Sequence, residues 1–320
     1  MDKEKRVLLK TLSNANDLEQ VLSTYSLYQF LTEQGFLCFV DVPDNFQSMS
    51  VRNFIEKYCG DASCRNDYGC IDAIVNGSGD NWKIDSQLDI KDKFLENYPD
   101  DIIKVAYSIG FGEECEYPIG MKNEAYFDMK NFRGISISDE NALRIMNEEF
   151  KVNAEWVCPP ILLNEKMNFE ETRKEEGLFI FSYFLDLDKQ KEKVINLAEE
   201  SLKYRVANYK GLEEDGCTVE DYIDIVRKAS LIITDSPTIV QLALVMGKPF
   251  VCVLSKNKKI SYEVISILKP LNLEGRIIYI EDDVKEKRYL FRKPIKYGLV
   301  DYKVQELREK SKEWLVSCFE

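Results

Sequence analysis

Residues 231–250, LIITDSPTIVQLALVMGKPF, set Thr234, Asp235 and Ser236 between a short apolar run and a helix-forming stretch. Each of the three can cap a helix, Pro237 suits the first helical position, and Gly247 suits a helix stop. A strand that runs into a capped helix start is a natural anion site, because free N–H groups and the positive end of the helix dipole meet there. Asp235 and Ser236 would then touch a phosphate or a sugar, although capping alone also accounts for both. The chain contains no histidine, so proton transfer near neutral pH would fall to a carboxyl group.

Three other stretches carry residue types that suit a ligand. Gly77-Ser78-Gly79 follows the apolar run IDAIV and could cradle an anion with its backbone N–H groups, or be a plain turn. Trp82 offers a stacking face for a sugar, but packing in a core is the better account of it. Ser138-Asp139-Glu140 reads as a helix start with acids in its first turn. Of the nine cysteines only Cys59, Cys64 and Cys70 are clustered, with gaps of four and five residues. Those gaps fit no common zinc or iron–sulfur spacing, and no histidine can complete a set. The expectation is therefore reduced thiols, no metal and no cofactor.

The elements that must position these residues alternate. Strand-like runs at 7–12, FLCFVDV, IDAIVNG, DIIKVAYS, RGISIS and AEWVC are interleaved with helical stretches at 18–34, 51–58, 119–130 and 140–150. A second series follows, with strands LFIFSYFL, YRVANY, LIITD, PFVCVL and RIIYI, and helices at 189–203, 219–228, 239–246 and 262–271. Such alternation predicts parallel sheets with helices on both faces. The break at Pro159-Pro160 and the polar run to Gly177 divides the two series. The expected fold class is α/β, with two Rossmann-like domains facing a cleft and a C-terminal helix at 304–319. The domains are residues 1–158 and 177–320, joined by a linker at 159–176.

A chain of 320 residues suits two domains, and a net charge of −13 argues against nucleic acid as a partner. The start, MDKEKRVLLKTL, is too short in apolar residues for a signal peptide, and no later run is long enough to span a bilayer. A cytoplasmic location is expected, with peripheral membrane association left open.

Six segments in order resemble the polysaccharide pyruvyl transferase family. SNANDLEQVLSTYSLYQFLTEQGF stands where that family reads N-Y-G-x-x-L-Q-A-Y-A-L, and IDAIVNGSGDNWK matches a strand followed by G-S-D-Q-x-W-N. IIKVAYSIGFG, FRGISISDENALRIM and AEWVCPPILL match K-x-x-Y-A-A-S-F-G, F-x-x-I-S-V-R-E and V-L-D-P-T-L-L. TVEDYIDIVRKASLIITDSPTIVQLALVMGKPFV matches the signature in which D-S-F-H-G is followed by G-K-P-F. The resemblance implies a two-domain fold of the GT-B glycosyltransferase type. It also implies transfer of an enolpyruvyl unit from phosphoenolpyruvate to a sugar in surface-glycan synthesis. A phosphorylated small-molecule donor and a sugar or glycan acceptor would then be the partners.

Carried over by position, the implied substrate contacts are Asp17, Gly77, Ser78, Ser138, Asp235, Ser236 and Thr238. Asp235, Thr238 and Asp139 stand at the positions of the family's chemistry. The chain departs from the family there: Thr238 replaces its histidine, Ser138 its arginine, Pro159 its aspartate, and Glu19 the glycine of N-Y-G. Pyruvyl transfer needs a cationic clamp and a general acid, and both are lost unless Arg133 or Lys248 restores the clamp. Three outcomes stay open: pyruvyl transfer, a catalytically dead binding module, or a transferase that uses a nucleotide sugar.

Overall fold

The computed structural model describes the chain except for residues 1–4, 13–17, 44–47, 61–70, 84–89, 113–116, 173–176, 213–214 and 257–259. It divides into two compact units, Met1–Leu163 with Leu307–Glu320, and Asn164–Glu306.

The first unit runs β1 (Arg6–Lys10), α1 (Leu18–Glu33), β2 (Leu37–Val40), α2 (Met49–Cys59), β3 (Ala73–Asn76), α3 (Ile90–Lys93), β4 (Ile103–Ala106), α4 (Ile119–Met129), β5 (Phe132–Ile137), α5 (Glu140–Ile145) and β6 (Glu155–Trp156). Its strands form one sheet in the order β2-β1-β3-β4-β5-β6, and every pairing is parallel. The helix expected over 140–150 is α-helical only to Ile145; Met146–Phe150 continues as a π turn, closed by Lys151 in the left-handed region at φ 57°.

The second unit runs β7 (Phe179–Tyr183), α6 (Lys189–Leu202), β8 (Arg205–Tyr209), α7 (Val219–Lys228), β9 (Leu231–Thr234), α8 (Pro237–Val245), β10 (Phe250–Leu254), α9 (Ile260–Leu268), β11 (Ile277–Tyr279) and the start of α10 (Tyr297–Ser317). Its parallel sheet has the order β11-β10-β9-β7-β8. Every residue of β7, β9 and β10 is buried. Strands covered on both faces must be apolar throughout, which is why they read as continuous runs rather than alternating ones.

Both sheets share one winding. The first strand of each has its second on one side and its third on the other, so the chain reverses direction across the sheet between β1 and β3, and again between β7 and β9. Helices leave the sheet on opposite faces at such a point, which opens a crevice outside the strands' carboxyl ends.

The expected C-terminal helix is present, with different bounds. Helix α10 begins at Tyr297 rather than near 304, and residues from Leu307 belong to the first unit. Specific contacts explain this. Arg308 donates to the Leu162 carbonyl at 2.7 Å, and the Ser311 hydroxyl accepts the Cys158 N–H at 2.9 Å. Gly134 in β5 admits the last turns: a Cβ there would lie 2.6 Å from the Cys318 sulfur. The boundary between units falls after Leu163, and Pro160–Leu163 is a 3-10 turn of the first unit.

Candidate functional site

In the first unit, Gly77-Ser78-Gly79 leaves the carboxyl end of β3. Gly77 has φ 136°, and a Cβ on it would sit 2.1 Å from the Tyr107 carbonyl oxygen, so only glycine fits between β3 and β4. Gly79 donates to the Ser108 carbonyl at 3.1 Å, and Gly110 returns a bond to the Gly79 carbonyl at 2.6 Å. These bonds tie the ends of β3 and β4 together.

Ser108 is the hub of this edge. It sits in the left-handed region at φ 55°, an uncommon conformation for serine. Its N–H donates to the Ser136 hydroxyl at 3.1 Å, and its own hydroxyl donates to that of Ser138 at 2.7 Å. Ser78 is 2% exposed and its hydroxyl oxygen is buried without a hydrogen-bond partner. The first unit thus gathers Ser78, Ser108 and Ser138, hydroxyls from the ends of three adjacent strands. Ser78 and Ser138 were candidates from the sequence; Ser108 was not, because a serine after a strand carries no signal until the strand order is known.

Asp139 and Trp82 have packing or capping partners within this unit. Asp139 caps α5, its Oδ1 accepting the Ala142 N–H at 2.8 Å. Trp82 is fully buried and packs against Phe94, Phe111 and Phe132 at ring distances of 4.9, 5.7 and 5.5 Å. Asp17, Cys64, Cys70 and Cys115 lie outside the described residues. Cys59 is buried, and burial raises its thiol pKa well above the ordinary value. Among the described residues no group of three or more His, Cys, Asp or Glu side chains is placed to hold a metal.

In the second unit the loop 234–239 stands at the β7–β9 reversal. Ser236 caps α8 by accepting the Ile239 N–H at 3.4 Å, and its own N–H donates to the Thr234 hydroxyl at 3.0 Å. Pro237 has no N–H, so of the first three helical residues only Thr238 has an N–H outside the Ser236 cap. Thr238 itself is 5% exposed.

Asp235 is 1% exposed, and both its oxygens are engaged. Oδ1 accepts the Leu185 N–H at 2.8 Å, and Oδ2 meets the Lys191 ammonium at 2.6 Å. Lys191, from the first turn of α6, also donates to the Asp186 carbonyl and lies 5.5 Å from the Phe184 ring centre. The pair binds the loop after β7 to the loop after β9. From sequence, Lys191 is one lysine in the charged run DKQKEK, and nothing marks it as the buried one.

The two cations considered for an anion clamp lie away from the carboxyl ends of their strands. Arg133 is exposed and enters β5 at its amino end, five residues before Ser138, or roughly 16 Å at strand rise. Lys248 precedes β10, also at an amino end, and burial holds its pKa below the ordinary value.

No family model matches the chain, and no curated protein matches its sequence. Its two parallel α/β units do match solved structures over nearly the whole length. A putative UDP-N-acetylglucosamine 2-epimerase from Listeria monocytogenes aligns with a TM-score of 0.53 at 12% identity, covering 97% of this chain and 91% of its own. The fold is GT-B-like. The UDP-GlcNAc 2-epimerase of Methanocaldococcus jannaschii, solved in complex with UDP-GlcNAc and UDP, gives 0.53 at 12% identity, with 91% and 92% covered. An uncharacterised protein from Klebsiella pneumoniae gives 0.51 at 11%, with 87% and 94% covered. Among the described residues, no helix is long and apolar enough to cross a membrane.

Proposed function

We propose that the protein acts in surface-glycan synthesis as a GT-B-like sugar-binding protein that keeps a pyruvyl transferase framework without its phosphoenolpyruvate chemistry. The observation that carries this is the state of Asp235. It stands at the heart of the family signature, yet its carboxylate is buried and engaged on both oxygens by Leu185 and Lys191. A group so held neither donates a proton nor receives a donor without breaking a buried ion pair. Around it, Thr238 cannot serve as an acid at neutral pH, and Arg133 and Lys248 stand at the wrong ends of their strands. Removing one preorganised electrostatic contact costs ~10²–10³ in rate and losing a general acid ~10²–10⁴, which together bring pyruvyl transfer close to background.

The Ser138 hydroxyl, partly exposed at the carboxyl end of β5 and held there by the buried Ser108 hydroxyl, supports the positive half of the reading, since it suits the hydroxyl groups of a sugar. A second reading, use of a nucleotide sugar, is favoured by the two epimerase likenesses and by the Thr238 N–H at the start of α8. Calorimetric titration with phosphoenolpyruvate, UDP-GlcNAc and neutral saccharides separates them. Saturable binding of phosphoenolpyruvate at millimolar concentration or tighter overturns the proposal. Saturable binding of UDP-GlcNAc moves the conclusion to the second reading.

A further inference from the structure

We propose that Lys191 and the Leu185 N–H form a carboxylate-binding site, which the chain fills from within with Asp235. The inference rests on the engaged state of Asp235 that carries the proposed function, and adds that its partners make a cradle independent of it. Both donors come from one connection, residues 184–191 between β7 and α6, whereas the carboxylate comes from the turn after β9. Each carboxylate oxygen has its own donor: Oδ1 the Leu185 N–H at 2.8 Å, Oδ2 the Lys191 ammonium at 2.6 Å. An N–H and an ammonium set to meet the two oxygens of one planar group suit a carboxylate, and charge makes such bonds the strong ones.

The cradle holds its own shape. Asp188 caps α6, accepting the Gln190 and Lys191 N–H groups at 2.8 and 2.9 Å, which fixes the backbone of the lysine. The ammonium also donates to the Asp186 carbonyl, and it lies 5.5 Å from the Phe184 ring centre. These contacts are local to the connection and stay when the Asp235 side chain is removed. A lysine only 1% exposed is then left without its carboxylate, which is costly. Leu185 and Asp186 are exposed, so the connection runs along the surface, within reach of a small ion. Formate is the carboxylate that Asp235→Ala takes away. It returns the same charge to the same place, so its balance with Asp186, Asp188 and Lys189 is that of the wild type. In the wild-type protein the site is full, and the reversal between β7 and β9 offers an outside carboxylate no donor at this position.

The test uses formate as the probe, in the full chain at an ionic strength held constant with chloride, read by thermal shift and urea unfolding. Asp235→Ala opens the site, Asp235→Asn keeps it filled with a neutral group of the same shape, and Lys191→Met/Asp235→Ala removes the cation. The expected result is a destabilised Asp235→Ala that formate restores saturably. Its folded-to-unfolded ratio should rise about tenfold at ~10 times the half-saturating concentration. Wild type, Asp235→Asn and the double variant should show no saturable response. No rescue of Asp235→Ala, or an equal response in any of the other three proteins, overturns the site. If Asp235→Ala does not fold by itself, refolding from urea decides: recovery in formate and not in chloride supports the site, and failure in both overturns it. Such a failure leaves the proposed function standing, since that reading falls on phosphoenolpyruvate binding by the wild-type protein.

Discussion

Replacing Lys191 with methionine removes one charge from a pair that has no access to water and keeps the aliphatic stem. The ammonium and Asp235 Oδ2 are 2.6 Å apart, with both side chains 2% exposed. At an effective dielectric of ~20, attraction over that distance amounts to about 6 kcal/mol, most of it offsetting the cost of taking two ions out of water. The pair therefore adds little net stability over an apolar substitute, but removing one partner leaves Asp235 charged and buried. That should cost ~3–5 kcal/mol, and at ~2–4 °C per kcal/mol should lower the melting temperature of the second unit by about 6–20 °C. Urea unfolding followed by far-UV circular dichroism measures the loss. The three tryptophans, at 82, 156 and 314, all belong to the first unit, so their fluorescence gives an internal reference.

The double variant Lys191→Met/Asp235→Asn decides the cause. Asparagine keeps an acceptor for the Leu185 N–H while removing the stranded charge, so the double variant should recover to within ~1–2 kcal/mol of wild type. The reasoning is refuted if Lys191→Met alone stays within ~1 kcal/mol of wild type, or if the double variant is no more stable than the single.

Gly77→Ala should destabilise the first unit by ~3 kcal/mol or more, because the new methyl meets the Tyr107 carbonyl at 2.1 Å and φ 136° is closed to alanine; a chemical denaturation midpoint checks it. Asp128 titrates near 7, raised by its burial and then by hydrogen bonding and repulsion from Glu96, with Glu124 adding and Lys104 opposing. A raised carboxyl pKa means that the fold binds the proton more tightly than the unfolded chain. Its stabilisation is therefore full below the ordinary value of 3.8 and is lost as pH rises through about 7. Asp128→Asn should flatten the fall in melting temperature between those values; an unchanged pH profile would refute the assignment. Phosphoenolpyruvate, finally, should give no saturable heat with the wild-type protein at millimolar concentration.

The sequence by itself determined the elements and their local chemistry. The apolar runs of β7, β9 and β10, the Thr218–Asp221 capping box that opens α7, and Ser236 with Pro237 at the start of α8 all act within a few residues, so their residue types suffice. Glycines 77 and 79 could likewise be recognised as a turn. The tertiary structure alone decided which turns became neighbours. The order β2-β1-β3 brings the end of β3 beside β1 and under Glu19, and parallel pairing of β3, β4 and β5 aligns Ser78, Ser108 and Ser138. Asp235 read from sequence either as a helix cap or as a ligand contact. Its fate was set by Lys191, 44 residues away, and that partner could not be chosen from a run of similar lysines. The last turns of α10 passed to the first unit for the same kind of reason, through Arg308, Ser311 and the gap at Gly134. Local propensity reaches about one helical turn along the chain, whereas burial and charge pairing depend on distances that exist only after the sheets have closed.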